Sequence, residues 1–154
     1  MMESAFHWFY LSDDVGPPPI ELPDRREGSR EPQRGRPRIL VVDDQKLIVD
    51  TLAEILGGAG FEVAIACDAW SALELAASFH PERVLSDILM PGMNGVELAI
   101  AVRKMYPSIK ILLFSGQAGI SEILDGAEER GYKFEVIGKP IHPQKLIERI
   151  QAQE

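Results

Sequence analysis

The sequence predicts an α/β fold built on a parallel five-stranded sheet, and three observations carry that expectation. Apolar runs of strand length alternate five times with apolar stripes of helical period. The first run, RILVV at 38–42, is apolar almost throughout, which suits a strand covered on both faces rather than one. Strands and helices that alternate in this way are joined by right-handed crossovers, which make the sheet parallel and lay helices on both sides.

The elements follow in order. After RILVV, residues Ile48, Leu52, Ile55, Leu56 and Ala59 share one helical face, and Gly57, Gly58 and Gly60 are expected to stop that helix. FEVAIA at 61–66 predicts a second strand, and Ala69, Ala72, Leu73, Ala76 and Phe79 a second helix. ERVLS at 82–86 predicts a third strand. Leu98, Ala99, Val102 and Met105 mark a third helix, closed by Pro107 and capped at its start by Asn94. IKILLF at 109–114 and FEVIG at 134–138 predict the last two strands. Ile120, Ile123, Leu124 and Ala127 mark the helix between them. Pro143 suits a first helical turn, followed by the stripe Leu146, Ile147 and Ile150.

Composition sets limits on function. The chain has 154 residues, 45% hydrophobic and 26% charged, in the range of one globular domain. A net charge of −8 argues against a general nucleic-acid-binding surface. Cys67 is the only cysteine, so an internal disulfide is excluded; it suits a reducing cytoplasm and is expected to be a small buried residue. No apolar run approaches the ~20 residues that span a bilayer. AFHWFYL follows Glu3 instead of a basic region, which makes it a poor signal peptide. Residues 1–37, rich in proline, glycine and mixed charge, are expected to form a flexible tail, with the domain at 38–154. Phe6, Trp8, Phe9 and Tyr10 are an aromatic exception within that tail. His7, His80 and His142 do not cluster and are expected on the surface or in turns.

In a parallel sheet, whatever follows each strand lies on one rim, and that rim is where ligands bind. Asp43 and Asp44 follow the first strand, Asp87 the third, Ser115 the fourth and Lys139 the fifth. Three carboxylates, a hydroxyl and an ammonium therefore converge. Two unit charges ~4 Å apart repel by about 4 kcal/mol at an effective dielectric near 20. Lys139 offsets part of this, and a divalent cation would offset more. An all-oxygen donor set suits Mg²⁺, or Mn²⁺, better than zinc. A carboxylate beside such an ion, a lysine and a hydroxyl is equipped to accept a phosphoryl group.

VVDD at 41–44, SDILMPGMNG at 86–95, LLFSG at 112–116 and KP at 139–140 together resemble the receiver domain of bacterial response regulators, from about Arg38 to the C-terminus. The resemblance implies the flavodoxin-like (βα)5 sandwich with strand order 2-1-3-4-5. It implies Asp87 as phosphoacceptor and Asp44 as a direct Mg²⁺ ligand. Asp43 would hold the metal through water, and Leu89 would supply its backbone carbonyl. Ser115 and Lys139 would contact the phosphoryl group, and the Lys139–Pro140 bond would be cis. The phosphodonor would be a sensor histidine kinase or histidine phosphotransfer protein. The output would be a conformational shift read by a protein partner on the face of the fourth helix, fifth strand and fifth helix. Residues 140–154 suffice for one helix, so the expectation is a stand-alone, cytoplasmic, non-enzymatic receiver with no direct DNA binding and no membrane attachment.

Two departures from the family pattern stand out. Val136 occupies the position three before the lysine where most receivers carry Phe or Tyr, and Phe134 is two residues too early to replace it. The segment between Ser115 and Lys139 is slightly long. In this family the side chains two beyond the phosphoacceptor and two beyond the Ser/Thr influence attacking water; here they are Leu89 and Gln117, and apolar Leu89 is expected to slow hydrolysis. Three other readings use the same fold. A phosphorelay intermediate has the same site and a different output. A phosphatase of the haloacid dehalogenase type wants a second Asp where Leu89 stands. A flavodoxin-like nucleotide binder wants a glycine-rich phosphate loop, which is missing.

Overall fold

The computed structural model describes residues 35–116 and 120–153. The tail expected at 1–37 lies outside them as far as residue 34, with its aromatic cluster and His7, and so does Gln117. Strands and helices alternate throughout: β1 (Arg38–Val42), α1 (Lys46–Gly58), β2 (Glu62–Ala66), α2 (Ala69–Phe79), β3 (Arg83–Asp87), α3 (Gly95–Met105), β4 (Lys110–Ser115), α4 (Ser121–Glu129), β5 (Glu135–Gly138) and α5 (Pro143–Ala152). The strands form one parallel sheet in the order β2-β1-β3-β4-β5, the flavodoxin-like arrangement.

Strand periodicity divides the interior into two cores. Leu40, Val42, Val84 and Leu113 face one way and pack with Ala72 and Ala76 of α2, Leu98 and Val102 of α3 and Ala127 of α4. Ile39, Val41, Leu85 and Phe114 face the other way and pack with Leu52 and Leu56 of α1 and Leu146 and Ile150 of α5. This is why the strands read as continuous apolar runs: successive side chains enter opposite cores, and each is covered.

Several local expectations need correction. Gly57 and Gly58 do not stop α1; they form its last residues. The stop is Gly60, whose φ of +98° only glycine adopts freely, after Ala59 caps the helix onto the carbonyls of Ile55 and Leu56. Met105 ends α3 but is 51% exposed, because the stripe has rotated off the core by the last turn. Cys67 is exposed, not buried, since it lies in the turn between β2 and α2 where the sheet has ended. Asn94 caps α3 as expected, accepting from the Glu97 N–H at 2.9 Å and donating to the Glu97 carboxylate at 2.7 Å. His80 adopts a left-handed conformation past the end of α2, and the His142 ring caps α5 through the Gln144 N–H. Pro143 stands in the first turn of α5.

One glycine sets the approach of α3 to the sheet. The Gly95 N–H donates to the Ile88 carbonyl at 2.8 Å. A Cβ at Gly95 would stand 1.9 Å from the Asp87 carbonyl oxygen, far inside contact distance. By contrast, a Cβ at Gly126 in the middle of α4 meets nothing within 4 Å. Gly95→Ala is expected to destabilise the fold by at least ~1–3 kcal/mol through forced backbone movement. Gly126→Ala is expected to be neutral or stabilising by up to ~1 kcal/mol through helix propensity. Urea unfolding of the two variants checks the contrast.

Candidate functional site

The carboxyl ends of the strands bring the candidate residues together from distant parts of the chain. Asp43 follows β1 directly, and its N–H extends the strand ladder to the Ala66 carbonyl. Its carboxylate accepts from the Gln45 N–H at 2.9 Å, which folds the loop back before α1 begins. Neither Asp43 nor Asp44 is the helix cap; Gln45 holds that position without a side-chain bond. Asp87 is the last residue of β3, one residue further into the strand than the sequence indicated. Its backbone carbonyl accepts from the Ser86 hydroxyl at 2.9 Å, while the next N–H, of Ile88, pairs with Phe114 on β4.

Asp43, Asp44 and Asp87 each offer a carboxylate oxygen, and these oxygens lie within 4.8 Å of one another. Asp43 and Asp87 are buried, whereas Asp44 is exposed. The Lys139 ammonium stands 3.0 Å from Asp43 and 3.5 Å from Asp87, with its side chain 7% exposed. Lys139 follows β5, and its N–H donates to the Ser115 carbonyl at 2.8 Å, which aligns the ends of β4 and β5. Ser115 is buried at the end of β4, in register with Gly138. The Lys139–Pro140 peptide is cis. Leu89 lies two residues past Asp87, half-buried, with its side chain packed against the core.

Burial dominates the electrostatics. It pushes the Asp87 carboxyl up from 3.8 to about 6, although Lys139 pulls the other way; the negative charge of Asp43 adds to the rise. Burial also raises Asp43, opposed by the Lys139 ammonium and the Gln45 N–H. One lysine therefore does not neutralise the cluster. The donor set is entirely hard oxygen, convergent and short of positive charge, and it fits Mg²⁺ or Mn²⁺.

Two contributors escaped sequence reading. Phe114 registers only as an apolar strand residue, yet its ring lies beneath the Lys139 ammonium, 4.2 Å from the centroid. Gly95 registers as a loop residue, yet it is the point where α3 meets the Asp87 carbonyl. Neither contact has a periodic signal, because both depend on register between separate elements. Three residues before Lys139, Val136 is half-buried. Phe134 precedes β5 and stacks on Tyr132, with centroids 6.3 Å apart, under the Arg103 guanidinium. It does not replace a ring at Val136.

Known proteins resemble this chain in sequence and in fold. The family description "response regulator receiver domain" matches residues 39–151. The chain is 32% identical over 117 residues to the DNA-binding response regulator MtrA of Mycolicibacterium paratuberculosis, covering 76% of this chain and 51% of that protein. It is 33% identical over 116 residues to the transcriptional regulatory protein PrrA of Mycobacterium bovis, covering 75% of this chain and 49% of that protein. A CheY-like receiver domain protein from Methanospirillum hungatei superposes with a TM-score of 0.69 at 34% identity, over 75% of this chain and 91% of that one. The chemotaxis protein CheY4 of Vibrio cholerae superposes with a TM-score of 0.70 at 29% identity, over 77% and 99%.

The chain thus spans about half the length of the curated relatives it matches. Their names overturn the expected partner set, in which DNA was excluded and the signal left only through a protein docked on the face of α4, β5 and α5. The charge argument addressed the surface of this chain alone, and half of each relative lies beyond the matched region. Among the described residues no helix is long and apolar enough to cross a membrane. With the sheet order, the strand-end acids and the sequence match in agreement, the chain belongs to the response regulator receiver domain family.

Proposed function

We propose that this chain accepts a phosphoryl group from a histidine kinase on Asp87, in a Mg²⁺-dependent reaction, and signals by a shift in conformation. The observation that carries this reading is the convergence of Asp87 with Asp43, Asp44 and Lys139 at the end of the sheet. An Asp87 carboxylate oxygen attacks the phosphorus, the bond from phosphorus to the donor nitrogen breaks, and the leaving imidazole takes a proton. Asp44 and Asp87, with Asp43 through water and the Leu89 carbonyl, would hold Mg²⁺ or Mn²⁺, which would supply positive charge to the transferring phosphoryl group. Lys139, 3.5 Å from the Asp87 carboxylate, adds positive charge to the phosphoryl oxygens and stays near the acyl phosphate that forms. Ser115 supplies a hydroxyl to one of its oxygens. The chain promotes its own phosphorylation and slow dephosphorylation and turns over no other substrate, in a cytoplasmic setting. The DNA-binding relatives support a transcriptional readout. Moving a two-state balance from 1:99 to 99:1 takes ~5.5 kcal/mol of differential stabilisation, which new phosphoryl contacts at the rim contribute to.

Three measurements check the reading. Acetyl phosphate with Mg²⁺ is expected to label Asp87, located by mass spectrometry, and Asp44→Ala is expected to abolish labelling while raising the Tm of metal-free protein by relieving repulsion. Folded wild-type protein that stays unlabelled, or a lower metal-free Tm in Asp44→Ala, overturns it.

The pH dependence follows from Asp87. Its carboxyl is raised in the folded state, so its favourable contribution is complete below 3.8 and is lost as pH rises through about 6. That loss amounts to roughly 3 kcal/mol. Urea unfolding without divalent cations is expected to show this fall between pH 4 and 7 in wild type and a smaller one in Asp87→Asn, where the raised Asp43 remains. Mg²⁺ is expected to stabilise the protein more at pH 7.5 than at pH 5.

Leu89→Asn is expected to shorten the lifetime of the phosphorylated form severalfold by admitting and orienting water. Decay followed after removal of the phosphodonor tests this, and an unchanged or slower decay is the contrary result.

A further inference from the structure

A second charged site lies at the other end of the strands. Lys110 opens β4, whereas Ser115 closes it at the acidic rim. Beneath the starts of β4 and β5, beside the last turns of α3 and α5, is a cavity of about 610 Å³ lined by Arg103, Lys110, Lys133, Ser108, Phe134 and Glu135, among others. This volume is within the range of small-molecule sites, ~300–1,000 Å³.

The charges of this cavity are unbalanced in an unusual direction. The chain carries a net charge of −8, yet three cations line the cavity and none is paired with a carboxylate among the described residues. The one acid, Glu135, is already engaged by the Arg149 guanidinium and accepts from the Gln153 amide at 3.1 Å. Lys110 donates to the Gln153 backbone carbonyl at 2.8 Å, which holds its ammonium in place without neutralising it. The Arg103 guanidinium lies over the Phe134 ring, 5.6 Å from the centroid, and its Nε is buried without a hydrogen-bond partner. That Nε is the single buried side-chain polar atom lacking a partner among the described residues. A buried donor left unpaired is costly, and it marks Arg103 as a side chain whose hydrogen-bonding capacity the protein itself does not use up.

From this geometry we propose that the cavity binds a small phosphate-bearing anion. A guanidinium is planar and presents its N–H groups as a fork, which matches two phosphate oxygens at once, and the Phe134 ring beside it limits its freedom. Exposed Lys133 and Lys110, held by the Gln153 carbonyl, supply point charges to the same cavity, and the Ser108 hydroxyl is a further donor. The acid cluster at the opposite rim repels such an anion in the absence of a divalent cation, so the two sites select different ligands from the same solution.

The test is a titration of metal-free protein with inorganic pyrophosphate, at ionic strength matched by sodium chloride, followed by proton–nitrogen NMR. Saturable shifts are expected at the Arg103 Nε–H and at the backbone amides of Lys110 and Lys133. Arg103→Gln is expected to weaken binding by ~10-fold or more, and Lys133→Gln severalfold. The exposed Lys133 variant decides the matter if Arg103→Gln loses its native spectrum. No shift, a shift reproduced by chloride alone, affinity unchanged in Lys133→Gln, or a response to a DNA duplex without one to pyrophosphate would each overturn the proposal.

Discussion

The Lys139 ammonium, held between the Asp43 and Asp87 carboxylates above the Phe114 ring, is the interaction on which the rim depends. It makes two buried acids tolerable where the strands end. It does not make them comfortable: desolvation outweighs its attraction at Asp87, whose carboxyl remains raised to about 6. The result is a fold that carries one positive charge fewer than its acids call for. A divalent cation bound there would add to stability, since anything that binds only the folded state stabilises it.

That arrangement is purchased by the two cores on either side of the sheet. The three central strands, β1, β3 and β4, are buried on both faces, and the parallel direction of all five puts every carboxyl end on one edge. Gly95 lets α3 start directly against the Asp87 carbonyl, so the start of that helix is fixed by backbone contact and not by a side chain. The conflict of collecting like charges is confined to the strand ends and the loops after them, above the packed cores. Proteins commonly accept local conflict at functional sites when the surrounding scaffold is consistent.

The opposite edge of the sheet has the complementary character. There the last turn of α5 is tied to the strands by cations: Arg83 donates to the Ile150 carbonyl and Lys110 to the Gln153 carbonyl. These cover orphan carbonyls at the helix end, where the helix dipole favours positive charge. Acids at one end of the strands and cations at the other leave an acidic chain with two edges of opposite preference.

The sequence by itself determined the alternation of elements, the parallel sheet and the identity of the rim residues. Period-2 and period-3.6 patterns are local, and in a parallel sheet a strand's end is automatically on the rim, so Asp43, Asp44, Asp87, Ser115 and Lys139 could be placed without coordinates. Details that depend on rotation or register escaped it. The last turn of α3 turned Met105 outward, Gly57 and Gly58 stayed within α1 while Gly60 made the stop, and Cys67 fell in a turn. Only the tertiary structure decided that Phe114 lies under Lys139, that Gly95 meets Asp87, and that Arg103, Lys110 and Lys133 share one cavity. These contacts join residues from different elements, and their distances are set by how whole helices and strands pack, which no local pattern encodes.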